Sequence, residues 1–192
     1  LTVAAKWYRK AADQGLPSAQ LNLAMMYNFG LGVPKNDSEA MKWYGKVAES
    51  YRKGANQGNA KAQADLGHMY HYGQGVPQDY AEAVRWYKQS AQRGQVEAQE
   101  TLGGMYFFGK GVAQDFAQAA QWYEMAAIQG KAYPQYLLGY LYDQGKGVAQ
   151  DQARAVQWYR KAAEQGNADA QESVASLLFF GRGVAQDYVE AA

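Results

Sequence analysis

Three short strings in this 192-residue chain bring together residue types that could do chemistry. Gly104 to Gly111 reads GMYFFGKG, a glycine, four residues and then Gly-Lys, which is most of a phosphate-binding loop. Ser50-Tyr51-Arg52-Lys53 is the S-x-x-K string of penicillin-recognising serine enzymes, in which the serine is the nucleophile. Asp65, His68 and His71 are spaced by three, which stacks three potential metal ligands on one side of a helix. Whether any of these acts depends on the elements that carry it.

Composition narrows the field. Lys and Arg total 19 against 18 Asp and Glu, so the net charge of +1 supplies no reason to bind nucleic acid or an anionic membrane. No apolar run approaches the ~18 residues a membrane span needs. There is no cysteine, which excludes disulfides and thiolate metal sites. No charged-then-apolar leader opens the chain.

The organisation is periodic. Trp-Tyr occurs at 7–8, 43–44, 86–87, 122–123 and 158–159, and Gly-x-Gly-Val at 30–33, 73–76, 109–112, 145–148 and 181–184. Apart from one step of 43, both markers advance by 36, so the chain is one array of repeats. Each unit reads as two helices. In the first, Ala, Gln, Leu, Ala/Gly, Met/Leu and Tyr share one arc at 100° per residue, and the variable columns share the opposite arc. The second is predicted to start at Asn36, Asp79, Asp115, Asp151 or Asp187, with Glu39, Glu82, Gln118 and Glu190 completing capping boxes that Arg154 breaks once. Gly15, Gly58, Gly94, Gly130 and Gly166 are predicted to end it in a left-handed conformation. Trp7, Trp43, Trp86, Trp122 and Trp158, with Tyr27, Tyr70, Tyr106 and Tyr142, are read as structural columns.

This frame reassigns the opening strings. GKG ends one helix and precedes a capped one, and Lys110 is replaced by Leu31, Gln74, Lys146 and Arg182 in the other repeats. A phosphate loop instead follows a strand and places Ser or Thr after the lysine, so GKG is expected to be a turn. No K-T-G or S-D-N accompanies Ser50 and Lys53. The His-His-Asp set occurs in one repeat only and is minimal, so no metal and no cofactor is expected.

A 36-residue helix pair carrying A-Q-x-x-L-G-x-x-Y, G-x-G-V-x-x-D and W-Y-x-x-A-A-x-x-G resembles the Sel-one-like repeat (SLR) family, a branch of the tetratricopeptide-repeat superfamily. The resemblance covers essentially the whole chain. It implies an all-α, right-handed α-solenoid of antiparallel helix pairs whose first helices line a concave groove. It also implies a scaffold for other proteins, often bacterial and often outside the cytoplasm, periplasmic or secreted, with no shared catalytic residues. Some cysteine-bridged relatives have been described as β-lactamases, which keeps a weak serine hydrolase centred on Ser50 and Lys53 as the enzymatic alternative. The units run approximately 1–15, 16–58, 59–94, 95–130, 131–166 and 167–192, as one solenoid domain that reads as a stretch of a longer array. Pro134 replaces the Ala of Ala-Gln in a first turn, where proline is tolerated. Val174, Ala175 and Leu178 replace Leu, Gly and Tyr, so the last unit is expected to pack less regularly.

The 43-residue step places seven extra residues inside the second helix between Trp43 and Gly58, lengthening it by roughly 10 Å with its packing face kept. Either an overhang or a partner-contacting rim would result. The variable arcs hold Leu21, Asn22, Met25, Asn28 and Phe29, then Ala64, Asp65, His68, His71 and Tyr72. They continue with Glu100, Thr101, Gly104, Phe107 and Phe108, then Tyr136, Leu137, Tyr140, Asp143 and Gln144, and end with Glu172, Ser173, Ser176, Phe179 and Phe180. Eight of these 25 are aromatic and none is Lys or Arg. The column of Phe29, Tyr72, Phe108 and Phe180 could simply pack on the next unit. Phe107, Tyr136, Tyr140 and Phe179 are therefore the first candidates for anchors, with Met25, Asn28, Asp65, His68, His71, Tyr72, Glu100, Phe108 and Asp143 beside them. An acidic, aromatic face suits a cationic or amphipathic peptide and opposes a phosphate backbone, which weighs against a helical-repeat nucleic-acid binder.

Overall fold

The computed structural model describes residues 2–185, so the expected cap Asp187 and its partner Glu190 lie outside the described residues. Among the described residues there are ten helices and no strand. The first of these, α1 (Val3–Asp13), is a second helix of the repeat, and five first helices follow: α2 (Pro17–Phe29), α4 (Ala60–Tyr72), α6 (Val96–Phe108), α8 (Ala132–Gln144) and α10 (Ala168–Phe180). Between them run α3 (Asp37–Asn56), α5 (Tyr80–Ala91), α7 (Phe116–Ile128) and α9 (Gln152–Glu164). Two compact units divide the chain, Leu1–Arg93 and Gly94–Ala192. No helix is long and apolar enough to cross a membrane among the described residues.

Local chemistry explains the helix ends. Asn36, Asp79, Asp115 and Asp151 each accept from the amide three residues on, at 2.9–3.0 Å, which satisfies a donor the helix leaves orphaned. The capping boxes are only half formed. The cap residue's own amide, which Glu39 or Glu82 would take in a full box, donates instead to the carbonyl of Tyr27 or Tyr70, at 2.9 and 3.0 Å. Asp115 and Asp151 do the same to Tyr106 and Tyr142. The structural tyrosines thus tie the two helices of a pair together by their backbone. Glu39 is left to pair with Arg9 and Lys42, and Glu82 with Arg85. At the start of the chain Thr2 caps α1, accepting from Ala5.

The GKG string is a helix-to-helix turn, as its position in the repeat requires. α6 ends at Gly109, whose φ of 69° is left-handed, and Lys110 donates back to the Met105 carbonyl at 2.9 Å. The second glycine of the string has a further reason, seen at Gly147. Its φ is 70°, and a Cβ there would overlap the backbone of Phe116 and Ala117 at the start of α7.

The core follows the fixed columns. Trp43 shares a core with Ala12, and Trp86 with Ala55 and Leu66. Small alanines accept the large indole of the following second helix. Trp158 is half-buried against the α7 and α8 cluster. Trp7, on α1, differs from the rest of its column in being 64% exposed. Tyr123 and Tyr159, each following a tryptophan, lie against a first helix: a Cβ on Gly103 would come 2.6 Å from Tyr123, and one on Gly139 2.7 Å from Tyr159. Burial raises the phenol pKa of both tyrosines and of Tyr87, so all three stay neutral.

The Ala-Gln column does more than pack. Gln20, Gln63 and Gln135 are buried, and each side-chain amide donates to the carbonyl of Ala12, Ala55 or Ala127 at 3.0–3.1 Å. Each of these carbonyls, near the C-terminal end of the preceding helix, also accepts from the amide of the glycine that ends it, so the glutamine adds a second donor and ties the two helices together. Pro134 leaves this bond intact. In the last unit α10 keeps the 13-residue length of the other first helices, and Leu178 is buried where the others carry tyrosine.

Candidate functional site

The variable face of the first helices is built differently in the two units. In the first unit α2 contributes Leu21, Met25 and Phe29, α3 contributes Tyr44 and Tyr51, and α4 contributes Asp65, His68 and Met69 to a cleft of about 410 Å3. That volume falls within the roughly 300–1,000 Å3 of small-ligand pockets. Asp65 pairs with Lys61 at 3.2 Å, an exposed pair worth at most about 1 kcal/mol. Its field, added to burial, raises the Tyr51 phenol. Burial lowers the His68 imidazole below its ordinary value, and Asp65 opposes that shift only in part.

His71 turns away from this cleft. Its ring is half-buried against Tyr72 at 4.6 Å and Tyr80 at 5.1 Å, and His68 also touches Tyr72 at 4.5 Å. The three-residue spacing therefore does not bring Asp65, His68 and His71 to a common point. Among the described residues no three His, Asp or Glu side chains are placed to hold a metal ion. Asn28 is half-buried on α2.

In the second unit the arc is largely filled by its own rings. Phe107 packs on Phe108 at 4.9 Å, Phe116 at 5.2 Å and Tyr140 at 6.1 Å. Tyr136 stacks on Tyr159 at 5.7 Å, and Lys146 donates to the Tyr140 hydroxyl at 2.7 Å. Leu137, placed on the variable arc by its angle, is buried. Glu100 is half-buried, and burial raises its carboxyl pKa while Lys131 opposes the shift and Glu97 adds to it. Asp143 accepts from Gln144 at 2.9 Å. Phe179 stays exposed, 5.1 Å from Phe180.

Besides Phe179, the exposed aromatics of these arcs are the column that could have packed on the next unit, of which Tyr72 and Phe108 were also candidates for partner contact. Phe29, Tyr72, Phe108 and Phe180 occupy the last position of α2, α4, α6 and α10, and each is between 58% and 62% exposed. The reason is local. The following glycine turns the chain away at once, so the ring of the last residue meets side chains of its own helix and leaves its outer side in water. The column is aromatic in four of the five repeats, with Gln144 in α8 the exception, and that pattern by itself does not separate an exposed ring from a packed one.

Ser50 and Lys53 are exposed on α3, outside the lining of the cleft. Ser50 stands where the second register of the lengthened helix would carry tryptophan: Ser50-Tyr51-Arg52 parallels Trp7-Tyr8-Arg9, and Arg52 donates to Tyr70 as Arg9 does to Tyr27. The serine therefore belongs to a duplicated packing register.

Comparison with known proteins places this arrangement. A fold match covers 97% of the chain on c5321, a protective antigen of uropathogenic Escherichia coli strains with an SLR fold, at 40% identity and a TM-score of 0.78. The Sel1 repeat protein from Oxalobacter formigenes matches over 97% of the chain at 40% identity and a TM-score of 0.73. The chain spans 38% of the first of these proteins and 74% of the second. The chitin synthase regulator SKT5 of Saccharomyces cerevisiae is 44% identical over 43 residues, which is 22% of this chain and 6% of that protein. The Sel1 repeat pattern itself matches residues 2–16, 17–50, 60–95, 96–131, 135–167 and 168–192, breaking off within the lengthened α3. Capped helix pairs, glycine turns, buried Ala-Gln columns and six such matches together show that this chain belongs to the Sel1 repeat family, an α-solenoid family of the tetratricopeptide-repeat type whose members mediate protein–protein interaction.

Proposed function

We propose that the chain is a non-catalytic scaffold that binds a segment of another protein on the variable face of its first helices. The observation that carries this reading is the exposed aromatic column at the helix ends. A merely solvated face has no physical reason to keep Phe29, Tyr72, Phe108 and Phe180 in water, whereas exposed aromatic rings supply much of the energy of protein interfaces. Asp65, Glu100, Asp143 and Glu172 give the same arcs an acidic bias, which favours a cationic or amphipathic segment and disfavours nucleic acid.

Phe107, Tyr136 and Tyr140 pack on other rings, so their removal would disturb the fold together with any interface. The informative variant replaces Tyr72, Phe108 and Phe180 with Ala, since these rings are mostly in water. Affinity capture from an extract, run with the wild type and this variant, tests the proposal. A protein held by the wild type should be lost by the variant at unchanged helicity and thermal midpoint. Equal capture by both would remove the aromatic column from the interface.

A further inference from the structure

The cleft of the first unit owes its existence to the seven extra residues of α3. That helix has 20 residues, against 13 in α7 and α9. In the second unit the loop after α8 brings Gly147 against Phe116 and Ala117, the first two residues of α7. In the first unit the loop after α4 brings Gly75 against Tyr44 and Gly45, two turns further along α3. The link between α2 and α3 is the ordinary one, since Asn36 still donates to the Tyr27 carbonyl. Hence α4 is displaced along α3 relative to α2 by about 10 Å more than the regular repeat allows. In the second unit Phe107 of α6 reaches Tyr140 of α8. The displacement in the first unit leaves an open cleft between α2 and α4 instead, floored by Tyr44 and Tyr51, the two ends of the extra heptad.

We propose that this cleft is a specificity pocket for one large apolar side chain of a partner protein, flanked in the partner by a lysine or arginine that pairs with Asp65. The proposal rests on the scaffold reading and sharpens it. Leu21, Met25, Phe29 and Met69 supply an apolar wall, and Asp65 is the only carboxylate in the lining. No Lys or Arg lines the cleft, and Lys61, which pairs with Asp65, is mostly in water and readily replaced. Desolvation keeps the His68 ring toward its neutral form, so it does not cancel the carboxylate near neutral pH. An acidic partner segment would meet an unpaired charge beside a desolvated surface, and a purely apolar one would leave Asp65 unused.

The test uses the whole chain with its methionine methyl groups labelled with carbon-13. Met25 and Met69 report on the cleft, while Met105 and Met125 lie in the other unit. The probes are acetyl-Lys-Phe-Lys-Leu-amide and its Glu-Phe-Glu-Leu counterpart. The lysine peptide should shift Met25 and Met69 and leave Met105 and Met125 in place, and the glutamate peptide should shift none of the four at the same concentration. Asp65→Asn should weaken the lysine peptide about threefold, the size of one partly exposed ion pair. Removing residues 45–51 joins Tyr44 to Arg52 and restores Trp-Tyr-Arg-Lys as at positions 7–10, so the shortened helix keeps a native register. That variant should remain helical and lose the response. Unmoved Met25 and Met69 signals in the wild type, or equal response to both peptides, would overturn the proposal, and this result does not depend on how the shortened variant folds. If the shortened variant still captures a partner that the Tyr72, Phe108 and Phe180 variant loses, the pocket is refuted and the scaffold reading survives. If the pocket binds its probe and the aromatic variant captures as well as wild type, the pocket stands and the aromatic column leaves the interface.

Discussion

A single residue type behaves differently along this chain according to what packs on it. Trp86 is 4% exposed and sits on Ala55 and Leu66, whereas Trp7 is mostly in water. Replacing Trp86 with Ala should therefore cost about 3–5 kcal/mol by emptying a packed site. Trp7→Ala should change stability by well under about 1 kcal/mol. Urea unfolding followed by far-ultraviolet circular dichroism measures both, and similar midpoints would contradict the packing described. The buried Gln column teaches the same lesson in polar form. Gln135 is a buried polar residue whose side chain bridges to the Ala127 carbonyl of the preceding helix, which apolar periodicity alone does not reveal.

At the scale of the elements, two glycine columns solve two different problems. Gly103 lies inside α6, where helical dihedrals suit any residue, and its lack of a side chain lets Tyr123 approach. Gly147 has a left-handed φ and also touches the backbone of α7. Gly103→Ala should cost about 1–3 kcal/mol, since the Tyr123 ring must move and helix propensity returns part of the loss. Gly147→Ala should cost more, because strain and a backbone collision add and neither can relax by a rotamer change. Thermal unfolding of the two variants gives the order, and a smaller loss at Gly147 would overturn this account of the turn.

For the whole molecule, membership of a scaffold family and the placement of Ser50 bear on the hydrolase alternative. A serine nucleophile needs a base within hydrogen-bond reach and donors for the developing oxyanion in a sheltered site. Ser50 lies on the exposed side of a long helix, in the position of a packing register. No nitrocefin turnover above the buffer rate is expected from the wild type, and none should be lost in Ser50→Ala. Turnover that disappears in Ser50→Ala would return the chain to the enzymes.

The sequence alone determined the helix pairs, their caps, their glycine stops and the family, because these depend on local dihedral preferences and on a period that any two repeats display. It also placed the seven added residues and kept their face in register, since seven residues are nearly two full turns. What the added heptad does was decided only in three dimensions. Its effect is a displacement of α4 against α2, a relation between elements that are not neighbours in sequence. The exposure of Phe29, Tyr72, Phe108 and Phe180, and the filling of the second unit's arc by Phe107, Tyr136 and Tyr140, were decided there as well. Helical angle says which way a side chain points, and only the neighbouring helix says whether anything stands in front of it.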